Sequence, residues 1–216
     1  LYIFRLSYKN NSFFVLEFKN KKPALLLVDI QKAFLDKDYP GSDENYVGIK
    51  RNNPKAEEVC GSILKKWREL GFLVIHVRHS STSVNSKLHE SSPGYEFNDF
   101  VKPKNNEIIL TKKVNSSFIG TGLVDILDTN NVKSIVIVGM TTNHCISTTV
   151  RMSGNLGYDT YLVSDSTAAY CNILKNGEVI DCEDVYKISL SNLDGEFCKV
   201  LTRDEIMFKV WGTQVV

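Results

Sequence analysis

Three kinds of side chain in this sequence could cooperate in chemistry: a carboxylate at Asp29, an amine at Lys112 or Lys113, and a thiol at Cys145. Asp29 lies inside the apolar run PALLLVDI, residues 23–30, where an acid loses solvation unless it finds partners. The two lysines follow an apolar stretch ending at Leu110. Cys145 comes after the run SIVIV, residues 134–138, and the turn Gly139-Met140-Thr141-Thr142-Asn143-His144, at the expected opening of a helix. A thiol there feels the positive end of the helix dipole and unpaired backbone N–H groups, which lower its pKa. The same N–H groups can hold the oxyanion of a tetrahedral intermediate. A carboxylate that takes the thiol proton and a lysine that stabilises the anion would complete a nucleophile for carbonyl carbon. Singly, each residue has a plainer reading: a structural acid, a solvated lysine, an inert buried cysteine.

The elements that must position these groups read as alternating strands and helices. Residues 23–30 and 72–77 are continuous apolar runs, the pattern of strands buried on both faces of a parallel sheet. Between them, Asn53-Pro54 reads as a cap and first helical position. Val59, Ile63, Trp67 and Leu70 then fall on one helical face, and Gly71 closes the helix. The pattern repeats with strands at 107–110, 134–138 and 160–163 and helices at 123–127, 145–156 and 185–193. Such repetition predicts one α/β domain with a mostly parallel sheet covered on both faces. Ligands in such sheets bind outside the carboxyl ends of the strands, the edge at which Asp29, the lysines and Cys145 are expected. The polar segment 79–104 is long enough to be read as a functional loop. Residues 1–21 read as an extension with an edge strand or hairpin, and the apolar stretch 206–216 as a tail that docks, with a subunit contact as one use.

Composition narrows the alternatives. The chain has 216 residues, 43% of them hydrophobic, with 26 Lys plus Arg against 25 Asp plus Glu. No basic surplus or stripe points to nucleic acid. Five scattered cysteines, Cys60, Cys145, Cys171, Cys182 and Cys198, form no CxxC and suit neither a disulfide scaffold nor a zinc finger. No stretch approaches the apolar length of a membrane span or a signal peptide. A cytoplasmic protein with reduced thiols is expected. No strand is followed by G-x-G-x-x-G, so a dinucleotide is not expected.

The segments LLLVDIQKAF, TKKVNSSFIGTGL and IVIVGMTTNHCISTTVRMSGNLGYDTYLVSDSTAA resemble the isochorismatase-like cysteine hydrolases, the superfamily that includes nicotinamidases and N-carbamoylsarcosine amidase. The likeness runs from about residue 22 to 201 and implies a three-layer α/β/α fold with a six-stranded, mostly parallel sheet. It implies a catalytic triad of Asp29, Lys112 and Cys145, with Lys112 chosen over Lys113 by its distance to Phe118. It also implies a cis peptide between Met140 and Thr141, an oxyanion hole from the N–H groups of Thr141 and Cys145, and a homodimer or homotetramer. Ser117 stands where the family usually has Ala. Nicotinamidases carry an Asp-x-His for a metal; His76, His79, His89 and His144 offer no such pattern, so neither nicotinamide, a metal nor another cofactor is expected. Substrate contacts are expected from Phe34, Arg78, His79, Asn115, Phe118 and His144. The resulting expectation is hydrolysis of a small amide or N-carbamoyl bond through a thioester. Vinyl-ether hydrolysis of the isochorismatase type, a non-catalytic binding role and thiol redox chemistry at Cys145 are the alternatives.

Overall fold

A computed structural model describes residues 21–35 and 50–211. Strand β1 (Ala24–Val28) is buried along its whole length, as its unbroken apolar sequence requires of a central parallel strand. It pairs in parallel on one side with β2 (Val74–His79) and on the other with β4 (Ser134–Gly139). The strands β3 (Ile108–Lys112), β5 (Asp159–Val163) and β8 (Lys199–Leu201) extend the sheet to six parallel strands in the order β3-β2-β1-β4-β5-β8. A small antiparallel hairpin, β6 (Asn172–Ile173) and β7 (Val179–Ile180), stands apart.

Side-chain alternation along β1 divides the core. Leu25 and Leu27 face one layer, with Ile63 and Trp67 of α1 (Ala56–Leu70). Ile206, Met207 and Val210 of α5 (Arg203–Trp211) complete that layer. Ala24, Leu26 and Val28 face the other, with Leu123 and Leu127 of α2 (Leu123–Thr129) and Val150 of α3 (Ser147–Asn155). The helix α4 (Cys182–Ser191) leads into Leu193 of the same layer. The expected six-stranded α/β/α architecture is therefore present.

Several local expectations are corrected. Asn53 does not cap α1; its backbone is left-handed, and its Nδ2 donates to the carbonyls of Thr167 at 2.7 Å and Ser164 at 3.4 Å. The helix begins two residues later, with no side-chain cap at Lys55. The stretch from 206 docks on this chain's own core, through Ile206, Met207 and Val210. Strand β8 and the β6–β7 hairpin, both too short for a clear period, escaped the pattern. The expected edge strand or hairpin lies almost entirely in residues 1–20, outside the described residues, as does 212–216. Among the described residues, no helix is long and apolar enough to cross a membrane.

The sheet order reverses between β1 and β4, so their carboxyl ends open the crevice where ligands bind in such folds. Gly139 closes β4 there beside Val28, with φ of 133°. A Cβ built on it would lie 1.9 Å from the Val28 carbonyl oxygen, so no side chain fits without parting the central strands. Gly139→Ala should lower stability by more than about 3 kcal/mol, read as a shifted urea midpoint against the parent protein.

Candidate active site

Four adjacent strands deliver the groups that meet at this edge. Asp29 follows the last residue of β1, His79 ends β2, Lys112 ends β3, and Cys145 lies beyond β4. Asp29 and Lys112 are each 1% exposed, so this is a buried ion pair. Lys112 Nζ donates to Asp29 Oδ2 at 2.6 Å, to the Val114 carbonyl at 3.1 Å and to Cys145 Sγ at 3.2 Å. His79 Nδ1 also lies 3.2 Å from Nζ. Asp29 Oδ1 is buried with no hydrogen-bond partner among the described residues. Asp29 has a left-handed backbone, φ of 53°, a conformation that costs energy in a non-glycine residue and recurs where a side chain must be aimed.

Lys112 belongs to the strand itself, because β3 runs to it from Ile108 rather than ending at Leu110. The turn after β4 keeps the cis peptide that the resemblance implies, but it enters its helix differently from expectation. The peptide between Met140 and Thr141 is cis. A wide π-type turn over Thr142–Ile146 then leads directly into α3. The helical path therefore begins three residues before Cys145, which sits within its first turn.

That placement does not lower the Cys145 pKa as a helix start would suggest. Burial raises it well above the ordinary thiol value, the Asp29 carboxylate raises it further, and Lys112 only partly offsets them. Lys112 is held the other way: burial pulls its pKa down, but Asp29 and Cys145 more than restore it, for a net rise. Burial and charge thus disfavour the Cys145 thiolate and favour the Lys112 ammonium, which stands 2.6 Å from Asp29 Oδ2. A carboxylate oxygen of Asp29 and Cys145 Sγ lie within 4.8 Å of each other, which places a proton acceptor beside the thiol.

These groups open into a cavity of about 240 Å³. Asp29, His79, Thr141 and Cys145 line it together with Phe34, Leu88, Asn115, Met140 and His144. Of the six substrate contacts expected, Phe34, His79, Asn115 and His144 reach it. Arg78 does not: it is next to His79 on β2, and consecutive strand residues face opposite sides. Its guanidinium instead lies 4.5 Å from the Tyr95 ring centroid, and its Nε donates to Thr111 Oγ1 at 3.2 Å. Phe118 is in the core, stacked on Tyr158 at 6.0 Å. Ser117, where the resemblance implies Ala, is accommodated by Thr149, whose hydroxyl oxygen lies 3.1 Å from Ser117 Oγ and accepts its backbone N–H at 3.1 Å.

Two residues that sequence reasoning missed hold the site together. Leu88 comes from the long 79–104 segment, which offered no period to follow. Gln31 is fully buried; its Nε2 donates to the carbonyls of His79 at 3.1 Å and Tyr95 at 2.9 Å, and its Oε1 accepts the His79 N–H at 2.8 Å. A polar residue two positions after Asp29 in an apolar run was the signal available. Asp29, His79 and Cys145 could together offer donors to a metal, but the Lys112 ammonium already contacts all three. Cys171, Asp181 and Cys182 form a second donor group at the foot of the β6–β7 hairpin, outside the cavity lining.

The profile of the isochorismatase domain matches residues 23–205. The chain belongs to the isochorismatase family. A relative in Bacillus subtilis, the uncharacterized isochorismatase family protein YrdC, is 46% identical over 187 residues, which cover 87% of this chain and 95% of that protein. A solved isochorismatase-family structure from Chromobacterium violaceum superposes with a TM-score of 0.80 at 35% identity, covering 89% of this chain and 95% of that one. The maleamate amidohydrolase of Pseudomonas putida is 24% identical over 201 residues, covering 87% of this chain and 86% of that enzyme. The isochorismatase-family chain described here is a hydrolase.

Removing the Asp29 charge should make the thiol more acidic, because that carboxylate raises its pKa and restrains Lys112. In Asp29→Asn, the pH midpoint for alkylation of Cys145 should fall by about one unit or more. The measurement is second-order alkylation rate against pH, with the modified residue located by peptide mapping.

Proposed function

We propose that the protein hydrolyses a small amide or N-carbamoyl C–N bond with Cys145 as nucleophile. The observation that carries this reading is the contact set of Lys112, which joins Asp29 and Cys145 through one buried ammonium. In the first step Asp29 takes the thiol proton on the unpartnered Oδ1 as Sγ bonds to the carbonyl carbon. The negative charge moves to the carbonyl oxygen, where the N–H groups of Thr141 and Cys145 are the proposed donors. Collapse of the intermediate breaks the C–N bond, and Asp29 returns the proton to the leaving nitrogen. Ammonia or an amine departs and a thioester remains on Cys145. Water, deprotonated by Asp29, then attacks the thioester, releases the acid and regenerates the thiol.

Lys112 keeps its charge throughout. A raised pKa suits that role, since an ammonium fixed beside Cys145 and Asp29 stabilises each anion as it forms. The upward shift of the Cys145 pKa favours a mechanism in which a base removes the thiol proton as substrate binds. The amidohydrolase name of the Pseudomonas relative supports amide chemistry, and retention of a cysteine at the site favours carbonyl attack over vinyl-ether cleavage.

Cys145→Ala should lower ammonia release from small amides and N-carbamoyl compounds by at least about 1,000-fold while leaving the thermal transition in place. Turnover retained in that variant would overturn the assignment.

A further inference from the structure

The charge and tautomer of His79 follow from its neighbours. An ammonium has no lone pair, so the His79 Nδ1 that lies 3.2 Å from Lys112 Nζ cannot donate to it, and the three N–H groups are shared among four neighbours of which Nδ1 is one. The ring proton then belongs on Nε2, the edge away from Lys112, in a residue that lines the cavity. A second proton on Nδ1 would place two cations in contact. Burial, and after it the Lys112 charge, hold the imidazole pKa below its ordinary value, in agreement with that geometry. Gln31 holds the His79 backbone through both its N–H and its carbonyl, and the contact of Nδ1 with Lys112 orients the ring.

Apart from Asp29, the described residues that line the cavity with His79 present no formal charge to a ligand. Phe34, Leu88 and Met140 supply an apolar wall. His144 is engaged through both nitrogens, Nδ1 at 3.2 Å from Thr141 Oγ1 and Nε2 at 3.3 Å from Asn143 Nδ2. The described residues that line the cavity include no arginine and no lysine, and Arg78 is turned onto Tyr95. Lys112 stands behind the lining, committed to Asp29. An anionic substrate would have to shed water beside the Asp29 carboxylate, with Lys112 already committed to that carboxylate and no further cation among the described lining residues, an arrangement that disfavours such groups.

We propose that His79 is the specificity-determining donor of this site, giving its Nε2–H to an uncharged acceptor on the acyl part, and that the cavity takes small neutral amides rather than carboxylate-bearing ones. This rests on Cys145 being the nucleophile, and the cavity volume of about 240 Å³ sets the size class. The preference separates this protein from a relative whose named substrate, maleamate, is an acid.

Iodoacetamide and iodoacetate test this without a known substrate, since they differ only in a neutral amide against a carboxylate. In each, a bond forms from Sγ to the methylene carbon, iodide leaves, and the thiol proton passes to the base. Rates at Cys145 are measured by peptide mapping and expressed relative to free cysteine under the same conditions. The iodoacetamide preference should exceed that of free cysteine by about tenfold or more. His79→Leu should bring the ratio close to that of free cysteine, whereas His79→Gln, which retains an N–H donor, should keep most of it. A ratio at or below that of free cysteine in the parent protein, or one unchanged in His79→Leu, overturns the proposal while leaving the nucleophile intact. A thiol silent toward both reagents overturns the nucleophile reading, and this inference with it.

Discussion

Everything at this site depends on one ammonium buried between two acids of different strength. Lys112 is held 2.6 Å from the Asp29 carboxylate and 3.2 Å from the Cys145 sulfur, with almost no exposure to water. Bringing a lysine and an aspartate out of solvent is costly, and their attraction offsets that cost only when the geometry is good. Removing either partner from such a pair costs about 3–5 kcal/mol, because a buried charge is left alone. The pair is therefore better understood as a fixed electrostatic device than as a source of stability. In the proposed mechanism it supplies a cation wherever negative charge develops.

The sheet makes that device possible. Parallel strands in the order β3-β2-β1-β4 bring Lys112, His79, Asp29 and Cys145 to one edge from positions as far apart as 29 and 145 in the sequence. Strand register sets the positions: His79 stands opposite Lys112, and Val28 opposite Gly139. The bare backbone at Gly139 lets the central strands close, and the turn that follows turns the chain into α3 with Cys145 on the cavity. Packing on both faces fixes these strands, so the side chains at their ends are aimed by the core.

Much of this was legible in the sequence for a simple reason. Central parallel strands are apolar on both faces, so β1 and β4 announce themselves, and an acid ending one of them is conspicuous. Short elements carry too few residues for a period, which is why β8 and the β6–β7 hairpin were not read. Asn53-Pro54 looked like a cap, but the Asn53 amide is drawn to the carbonyls of Ser164 and Thr167, a tertiary contact that local chemistry does not reveal. Arg78 and His79 both leave β2 at the right edge; strand alternation allows one of them into the cavity, and sequence type did not say which. The Cys145 acidity was misjudged because the helix-end effect is local, whereas burial and the Asp29 charge arise only on folding.

The central claim is that Cys145 carries the acyl group between two half-reactions. Rapid acid quench of the protein with an amide that it turns over, followed by mass analysis of the Cys145 peptide, tests this directly. The account predicts an added mass equal to the acyl group, present during turnover, gone after the substrate is consumed and absent from Cys145→Ala. Full-rate turnover with no adduct on Cys145 at any quench time, under conditions that preserve a thioester, would contradict it.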